Sequence, residues 1–123
     1  MGGNRDEPRY DQFHAVLSLD WGGSADITDK NIECKDWYFQ DGPLIPDAFE
    51  LEAAVMWVWR RWFSGTPVLV RCQAGLNRSG LVVARVLIDN GMKPQDAIDV
   101  IREMRSPNAL FNPAFTKYLL ALS

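Results

Sequence analysis

The sequence is poor in cysteine and histidine and has no excess of positive charge. Its 123 residues include two cysteines and one histidine, and 13 Lys and Arg stand against 16 Asp and Glu, which gives a net charge of −3. This charge gives no indication of a basic groove for nucleic acid or of a surface for anionic membranes. Two cysteines that need not pair fit a reducing compartment, so we expect a cytoplasmic protein without a nucleic-acid partner.

The sequence also lacks long apolar runs, repeats and low-complexity tracts. Its apolar stretches are well short of the roughly 20 residues of a membrane-spanning helix, and the first eight residues lack the apolar core of a signal peptide. A hydrophobic content of 47% is ordinary for a globular protein and suffices for one core but not two. We therefore expect a monomer with no membrane association, a single domain over residues 13–123 and a flexible segment over residues 1–12.

Strand-like and helix-like patterns alternate along the chain, which predicts an α/β fold with a central, mostly parallel sheet flanked by helices. Strands are predicted over residues 14–19, 37–39 and 68–70. Helices are predicted over residues 47–64 and 81–90, from Pro94 onward and over residues 113–120. The first helix places Leu51, Ala54, Val55, Val58 and Trp62 on one face.

The most informative stretch is Cys72-Gln73-Ala74-Gly75-Leu76-Asn77-Arg78-Ser79, between an apolar strand and an apolar helix. The backbone N–H groups of such a loop and the positive end of the following helix converge on one point, which makes an anion site that favours a thiolate. The sequence therefore predicts a phosphate-binding loop with a built-in nucleophile.

Each residue type in this loop has a use in such a site. Cys72 is the predicted nucleophile, and the planar guanidinium of Arg78 can bind two oxygens of a phosphoryl group and of the transition state. Ser79 can donate a hydrogen bond to the sulfur and stabilise it as a thiolate. The residues between them are predicted to bind phosphate through their backbone: Gln73, Ala74, Gly75, Leu76 and Asn77.

A cysteine, five residues, an arginine and then Ser or Thr is the motif of the cysteine-dependent protein tyrosine phosphatases, and the sequence most resembles their compact dual-specificity branch. The resemblance runs from about His14 to the C-terminus. It implies a minimal dual-specificity phosphatase-like fold, a phosphorylated protein substrate, a cysteinyl-phosphate intermediate and neither cofactor nor metal. The family usually has a histidine before the cysteine as a buttress of the loop. Here Arg71 stands in that place and adds a positive charge of its own.

A phosphatase that uses a thiolate also needs an acid to protonate the leaving oxygen, and four aspartates compete for this role. Asp36 precedes a strand-like aromatic segment and so lies at the wrong end of a strand. Asp47 has the spacing of a helix cap, and Asp20 could rim the site. Asp41 follows the aromatic segment in a Gly-Pro loop, thirty-one residues before Cys72, a separation similar to that in dual-specificity phosphatases. We predict Asp41 as the general acid and base, although an Asp-Gly turn alone is common.

Downstream, Asn112-Pro113-Ala114-Phe115 is similar to the Asn-x-x-Phe element of dual-specificity enzymes, in which the Asn supports the phosphate loop. The family usually has Pro before this Asn, whereas Phe111 occupies the place here. Asn108, which follows Pro107, is a second candidate for the same supporting role.

Several functions remain open at this point. The leading one is a protein phosphatase for phosphotyrosine, phosphoserine and phosphothreonine, because the short chain has no room for the loop that deepens the pocket of larger relatives. A second is a phosphatase for a 5′-triphosphate RNA end, a phosphoinositide or a small phosphate. A third is a weakly active phosphate-binding module. Cys34 could protect Cys72 by forming a disulfide, and His14 could support a cysteine–histidine hydrolase instead.

Overall fold

Four strands and four helices make up the part of the chain that the computed structural model describes, namely residues 2–3, 13–20, 22–72 and 77–122. In chain order these are β1 (Gly2–Gly3), β2 (Ala15–Ser18), β3 (Glu33–Asp36), α1 (Ala48–Phe63), β4 (Val68–Cys72), α2 (Asn77–Asp89), α3 (Pro94–Met104) and α4 (Pro113–Leu120). The strands form one parallel sheet in the order β1-β4-β2-β3. The predicted α/β fold with a parallel sheet is therefore confirmed.

The register of the sheet brings the segments that carry the predicted site residues to one edge. Ser18 at the end of β2 lies level with Arg71 of β4 and with Asp36 of β3. Because parallel strands all end at the same edge, Cys72 and the segments that follow Ser18 and Asp36 meet there. Of the predicted flexible segment, the structure describes only Gly2 and Gly3, which pair with β4, so that prediction stays a prediction.

The two faces of the sheet have different neighbours. The helices cover one face: α1 packs against β4 and β2, α2 packs against β4 and α1, and α3 and α4 pack against α2. Leu17, Val70 and Cys72 belong to the buried cluster on this face. Because alternate residues of a strand point to opposite faces, Ser18 and Arg71 point away from the helices. Both are nevertheless buried, at 0% and 1% exposure.

The helix boundaries agree with the sequence at most ends. Asp47 caps α1, and its side chain accepts hydrogen bonds from the backbone N–H groups of Phe49 and Glu50, as its spacing predicts. Pro113 opens α4 over the predicted range. In contrast, α2 begins four residues before the predicted Leu81, and Trp62 is half exposed rather than part of the buried face of α1.

The predicted strand over residues 37–39 is wrong. β3 ends at Asp36 because its partner β2 ends at Ser18, and the backbone N–H of Trp37 makes one last bond to the Ser18 carbonyl at 2.9 Å. The sequence predicted Asp36 at the amino end of a strand. In the structure it lies at the carboxyl end of β3. Its carboxylate accepts a hydrogen bond from Ser24 at 2.6 Å, on the face opposite to Cys72.

Two contacts tie the helices to the rest of the fold. On α1, Arg61 donates to both carboxylate oxygens of Glu33 on the edge strand, and this hydrogen bonding lowers the pKa of Glu33 from its ordinary value of 4.5. On α2, Gly80 lies so close to Leu110 that a Cβ at position 80 would come within 2.8 Å of the Leu110 Cγ. Leu110 has a φ of 57° and is fully buried, and Arg102 donates to its carbonyl oxygen at 3.0 Å.

Candidate active site

Cys72 is the last residue of β4, and its side chain is fully buried on the helical face of the sheet. Ser79, in the first turn of α2, is equally buried, and its hydroxyl accepts a hydrogen bond from the Cys72 Sγ at 3.2 Å. If the sulfur is a thiolate, the same hydroxyl can reverse its role and donate to it. The predicted phosphate-binding residues between the two lie outside the described residues, with the exception of Asn77: Gln73, Ala74, Gly75 and Leu76.

Arg78 is held at the sheet edge by acceptors that follow two different strands. Its Nη1 donates to the backbone carbonyls of Leu19, at 3.4 Å, and Phe39, at 3.3 Å. Its Nη2 donates to Asp20 Oδ1 at 3.1 Å, and the exposures of the two side chains are 13% and 6%. The predicted phosphate-binding arginine is thus next to Ser79 on α2 and is fixed in place by the segments after β2 and β3.

Asp41 lies at the surface, and both of its carboxylate oxygens accept hydrogen bonds from asparagine side chains. Asn77 Nδ2 donates to Oδ2 at 2.9 Å, and Asn112 Nδ2 donates to Oδ1 at 2.7 Å. Asn77 is the first residue of α2 and Asn112 is the N-cap of α4. The predicted acid is therefore tied to the amino ends of two helices, one of which carries Arg78 and Ser79.

Asn112 links three segments through its side chain and backbone. Besides Asp41, its Nδ2 donates to the Gly42 carbonyl at 3.0 Å, and its Oδ1 accepts from the backbone N–H of Ala114 at 2.9 Å. Its own backbone N–H donates to Asn77 Oδ1 at 3.1 Å. The side chain of Asn108 is exposed, so Asn112 is the candidate that meets the start of α2 and the Asp41 loop.

Arg71 does not add its charge beside Cys72 as the sequence predicted. Its side chain points to the other face of the sheet, where the guanidinium binds both carboxylate oxygens of Asp26, at 2.6 and 3.0 Å. It also donates to the Ser18 hydroxyl at 2.8 Å and to the Gly23 carbonyl at 3.2 Å. Because Asp26 balances its charge, Arg71 acts on the connection that follows β2. The sequence carries no signal that pairs residues 45 positions apart.

The structure separates the remaining candidates from Cys72. His14 is exposed and precedes β2 at the amino end of the sheet, far from the carboxyl end that carries Cys72, which disfavours a cysteine–histidine hydrolase. Cys34 is exposed on the edge strand β3, and β2 lies between it and β4. Two strand spacings are roughly 10 Å, beyond the ~7 Å limit between Cα atoms in a disulfide. A direct Cys34–Cys72 bond is therefore excluded in this arrangement.

A pocket of about 470 Å³ opens beside Asp41. It is lined by Asp41, Gly42, Pro43, Asn77, Phe111, Asn112, Pro113 and Ala114. Within the described ranges, no three His, Cys, Asp or Glu side chains lie close enough together to hold a metal ion. Among the same residues, no helix has the length and apolar character needed to cross a membrane.

Comparisons with known proteins show the family of the chain. A family model described as the catalytic domain of dual specificity phosphatases matches residues 21–123. Protein tyrosine phosphatase type IVA 3 of Mus musculus is 39% identical over 72 residues, which cover 57% of this chain and 41% of the relative. Type IVA 2 of Mus musculus is 34% identical over 96 residues, which cover 77% and 56%. The chain thus spans about half the length of the curated relatives it matches.

A likeness to solved structures extends over nearly the whole chain. The crystal structure of DUSP15 matches with a TM-score of 0.81 and 21% identity, covering 98% of this chain and 79% of that one. At this identity the likeness shows the fold alone. The family model, however, matches far more than half of the chain. The chain therefore belongs to the family of dual specificity phosphatase catalytic domains.

Proposed function

We propose that this chain is a protein phosphatase that hydrolyses phosphotyrosine, phosphoserine and phosphothreonine through a cysteinyl-phosphate intermediate. The observation that carries the proposal is the contact between Cys72 and Ser79 at the amino end of α2, with Arg78 in the same helical turn. Family membership supports the same chemistry.

In the first step, the Cys72 sulfur attacks phosphorus, and an S–P bond forms as the P–O bond to the substrate breaks. Arg78 and the amino end of α2 stabilise the charge on the non-bridging oxygens. Asp41 gives its proton to the leaving oxygen, so that an alcohol or phenol departs instead of an alkoxide or phenolate.

In the second step, a water molecule attacks the phosphorus of cysteinyl phosphate, and Asp41 takes its proton. The S–P bond breaks, inorganic phosphate leaves, and Ser79 donates a hydrogen bond to the departing thiolate. Cys72 and Asp41 return to the states in which they began.

The contacts of Asp41 are compatible with this cycle. Each of its oxygens accepts one hydrogen bond from a side-chain NH2 group, which can only donate. Each carboxyl oxygen has two acceptor positions, so one of the remaining positions can carry the proton for the leaving group. Both amide contacts can therefore stay in place when Asp41 acts as the acid and as the base.

The proposal is tested by turnover of an artificial aryl phosphate. Cys72→Ser abolishes turnover, and Arg78→Lys lowers kcat by about 10²- to 10³-fold because lysine cannot reproduce the planar grip. Asp41→Asn lowers kcat by about 10²-fold or more and removes one limb of the pH profile. Cys34→Ser and Arg60→Lys are the matched controls, because both residues are exposed and outside the site. Full turnover in Cys72→Ser would refute the mechanism.

A second experiment, which compares turnover of different phosphorylated substrates, tests the substrate class. The exposed position of Asp41 supports a shallow site that accepts short side chains as well as phosphotyrosine. Turnover of phosphopeptides is compared with release of phosphate from triphosphorylated RNA and from phosphoinositides. We expect phosphopeptides to have the highest kcat/KM. If another class leads, the chain is a phosphatase of different specificity, and binding without turnover of any class identifies a phosphate-binding module.

We further propose that residues 13–123 form one catalytic domain that works as a monomer in the cytoplasm. Both cysteines are free thiols, which a reducing compartment preserves. Light scattering on the purified chain tests the monomer, and fractionation of cells tests the location.

A further inference from the structure

Asp20 lies at the sheet edge beside the reacting residues. It is the second residue after β2, which pairs in parallel with β4, and the bond from the Leu19 N–H to the Arg71 carbonyl, at 3.0 Å, extends that pairing beyond Ser18. This places Asp20 next to the end of β4, where Cys72 lies. Its side chain is 6% exposed, so its contact with Arg78 is largely shielded from water.

The contacts of Arg78 can be counted against its five N–H groups. Two N–H groups of Nη1 face the Leu19 and Phe39 carbonyls, and one of Nη2 faces Asp20. Among the described residues, no acceptor faces the Nε–H or the second N–H of Nη2. Two N–H groups are what a guanidinium needs to bind two oxygens of a phosphoryl group.

We infer that Asp20 is a positioning residue that orients the Arg78 guanidinium for phosphate. The inference rests on the proposed function and adds to it a residue that the sequence indicates only as part of the rim. Arginine has a long side chain with many rotamers, and fixing it only when substrate binds costs conformational entropy. The Asp20 carboxylate and the two carbonyls fix it beforehand. Substrate then meets a guanidinium that is already oriented.

The turn that carries Asp20 is itself anchored from the other face of the sheet. The Asp20 carbonyl accepts from the Gly23 N–H at 3.1 Å, and the Gly23 carbonyl accepts from Arg71 at 3.2 Å. Gly23 has a φ of 59°, and a Cβ there would come within 2.4 Å of an Asp36 carboxylate oxygen, so another residue would be strained and would displace the Asp36 side chain. Arg71 thereby supports the turn that presents Asp20 to Arg78.

The experiment compares Asp20→Asn with Asp20→Ala. The asparagine keeps an oxygen that can accept from Nη2, whereas the alanine removes the acceptor. We expect Asp20→Ala to lower kcat on an aryl phosphate by about 10- to 100-fold, the scale of a misplaced binding group, and Asp20→Asn to lie between it and the wild type. Asp29→Asn is the control, because it removes an equal charge from the same connection at an exposed position.

Three readouts separate positioning from a merely structural role. The loss in Asp20→Ala is the same for good and poor leaving groups, because Asp20 acts through Arg78 and not through the acid. In an Arg78→Lys background, Asp20→Ala causes no further loss. Affinity for inorganic phosphate, measured by NMR titration, falls in Asp20→Ala. Asp20→Ser, which is too short to reach Nη2, replaces the alanine variant if thermal unfolding shows that the latter is not folded.

The opposite results overturn the inference. If both Asp20 variants bind phosphate more tightly than the wild type and keep its kcat, Asp20 competes with the substrate for Arg78. If the loss persists in the Arg78→Lys background, Asp20 does not act through Arg78. Absence of turnover in the wild type would refute the proposed function, whereas the ranking of phosphate affinities would still test the role of Asp20.

Discussion

Replacing Asn112 with alanine tests the link between the Asp41 loop and the two helix ends. The side chain is 8% exposed and makes three hydrogen bonds, to the Asp41 carboxylate, the Gly42 carbonyl and the Ala114 N–H. An N-cap is worth about 1 kcal/mol, a hydrogen bond to a charged group about 1.5 kcal/mol and a neutral one about 0.5 kcal/mol at the low end of their ranges. The free energy of unfolding should therefore fall by about 3 kcal/mol.

A second variant divides this loss between the cap and the Asp41 loop. Serine is a good N-cap but is too short to reach the acid loop. Asn112→Ser should therefore restore about 1 kcal/mol of the loss that Asn112→Ala causes, without restoring the contacts to Asp41 and Gly42. Urea unfolding of both variants measures this difference.

Activity should follow the contacts with Asp41 and not the stability. Without Asn112, the side chain of Asp41, the proposed acid, keeps its contact with Asn77 as the one hydrogen bond among the described residues, and the loop that carries it is less ordered. We expect both Asn112 variants to lose more kcat on a substrate with a poor leaving group, such as a phosphoserine peptide, than on p-nitrophenyl phosphate. The reason is that protonation by the proposed acid, Asp41, matters most when the leaving oxygen is strongly basic.

Asn108→Ala is the matched control for these measurements. It removes the same side chain from the same connection, but from an exposed position, so the change in unfolding free energy should stay within about 0.5 kcal/mol. The reasoning is refuted if Asn112→Ala matches Asn108→Ala in stability, or if its loss of kcat is equal for both leaving groups.

Three further variants test contacts away from the reacting atoms. Arg71→Met should lower the free energy of unfolding by about 3 kcal/mol, because it removes the charged hydrogen bonds of a buried guanidinium to Asp26, to the Ser18 hydroxyl and to the Gly23 carbonyl. Gly80→Ala should lower it by about 1–3 kcal/mol, because the new Cβ overlaps the Leu110 side chain. Glu33→Gln should cost at most about 1 kcal/mol at pH 7, because its ion pair is at the surface. Since the pKa of Glu33 is lowered in the folded state, its contribution is present above pH 4.5 and is lost as the pH falls through the folded pKa.

Chemical denaturation measures all three, and each has its own contradicting result. An unchanged midpoint in Arg71→Met would show that the network around Ser18 contributes no net stability. For position 80, Gly42→Ala is the comparison, since nothing lies within 4 Å of a Cβ there, and equal losses at both positions would count against close packing. For Glu33→Gln, a difference from the wild type that persists far below pH 4.5 would count against the ion pair.

The sequence predicts the local structure well where its signals are local. Asp47 marks the start of α1, and Pro94 and Pro113 mark the next helix starts, because caps and prolines act within a few residues. It fails where the candidate site residues are also part of a helix. α2 begins at Asn77 and not at Leu81, because the first turn of this helix is polar and lacks the apolar pattern that predicts a helix.

The contacts that shape the site could not be predicted, because they join distant positions. Arg78 and Asp20 are 58 residues apart, and Asn112 and Asp41 are 71 apart. The sequence contains many polar side chains that could have met, and only the register of the sheet and the packing of α4 decide which ones do. The aromatic composition of the segment after Asp36 is typical of a strand. It does not show that the partner strand, β2, has already ended at Ser18.

Arg71 also makes the hydrogen bonds at the carboxyl edge of the sheet insensitive to pH near neutrality. A guanidinium stays protonated throughout the neutral range, whereas a histidine in this place would gain and lose its proton near neutrality. The bonds from Arg71 to Ser18, Gly23 and Asp26 therefore persist unchanged across the neutral range. The chain has one histidine, and it precedes β2 at the far end of the sheet. A change in kcat/KM near neutral pH therefore reports the proposed reacting groups and the substrate, not the residue that precedes Cys72.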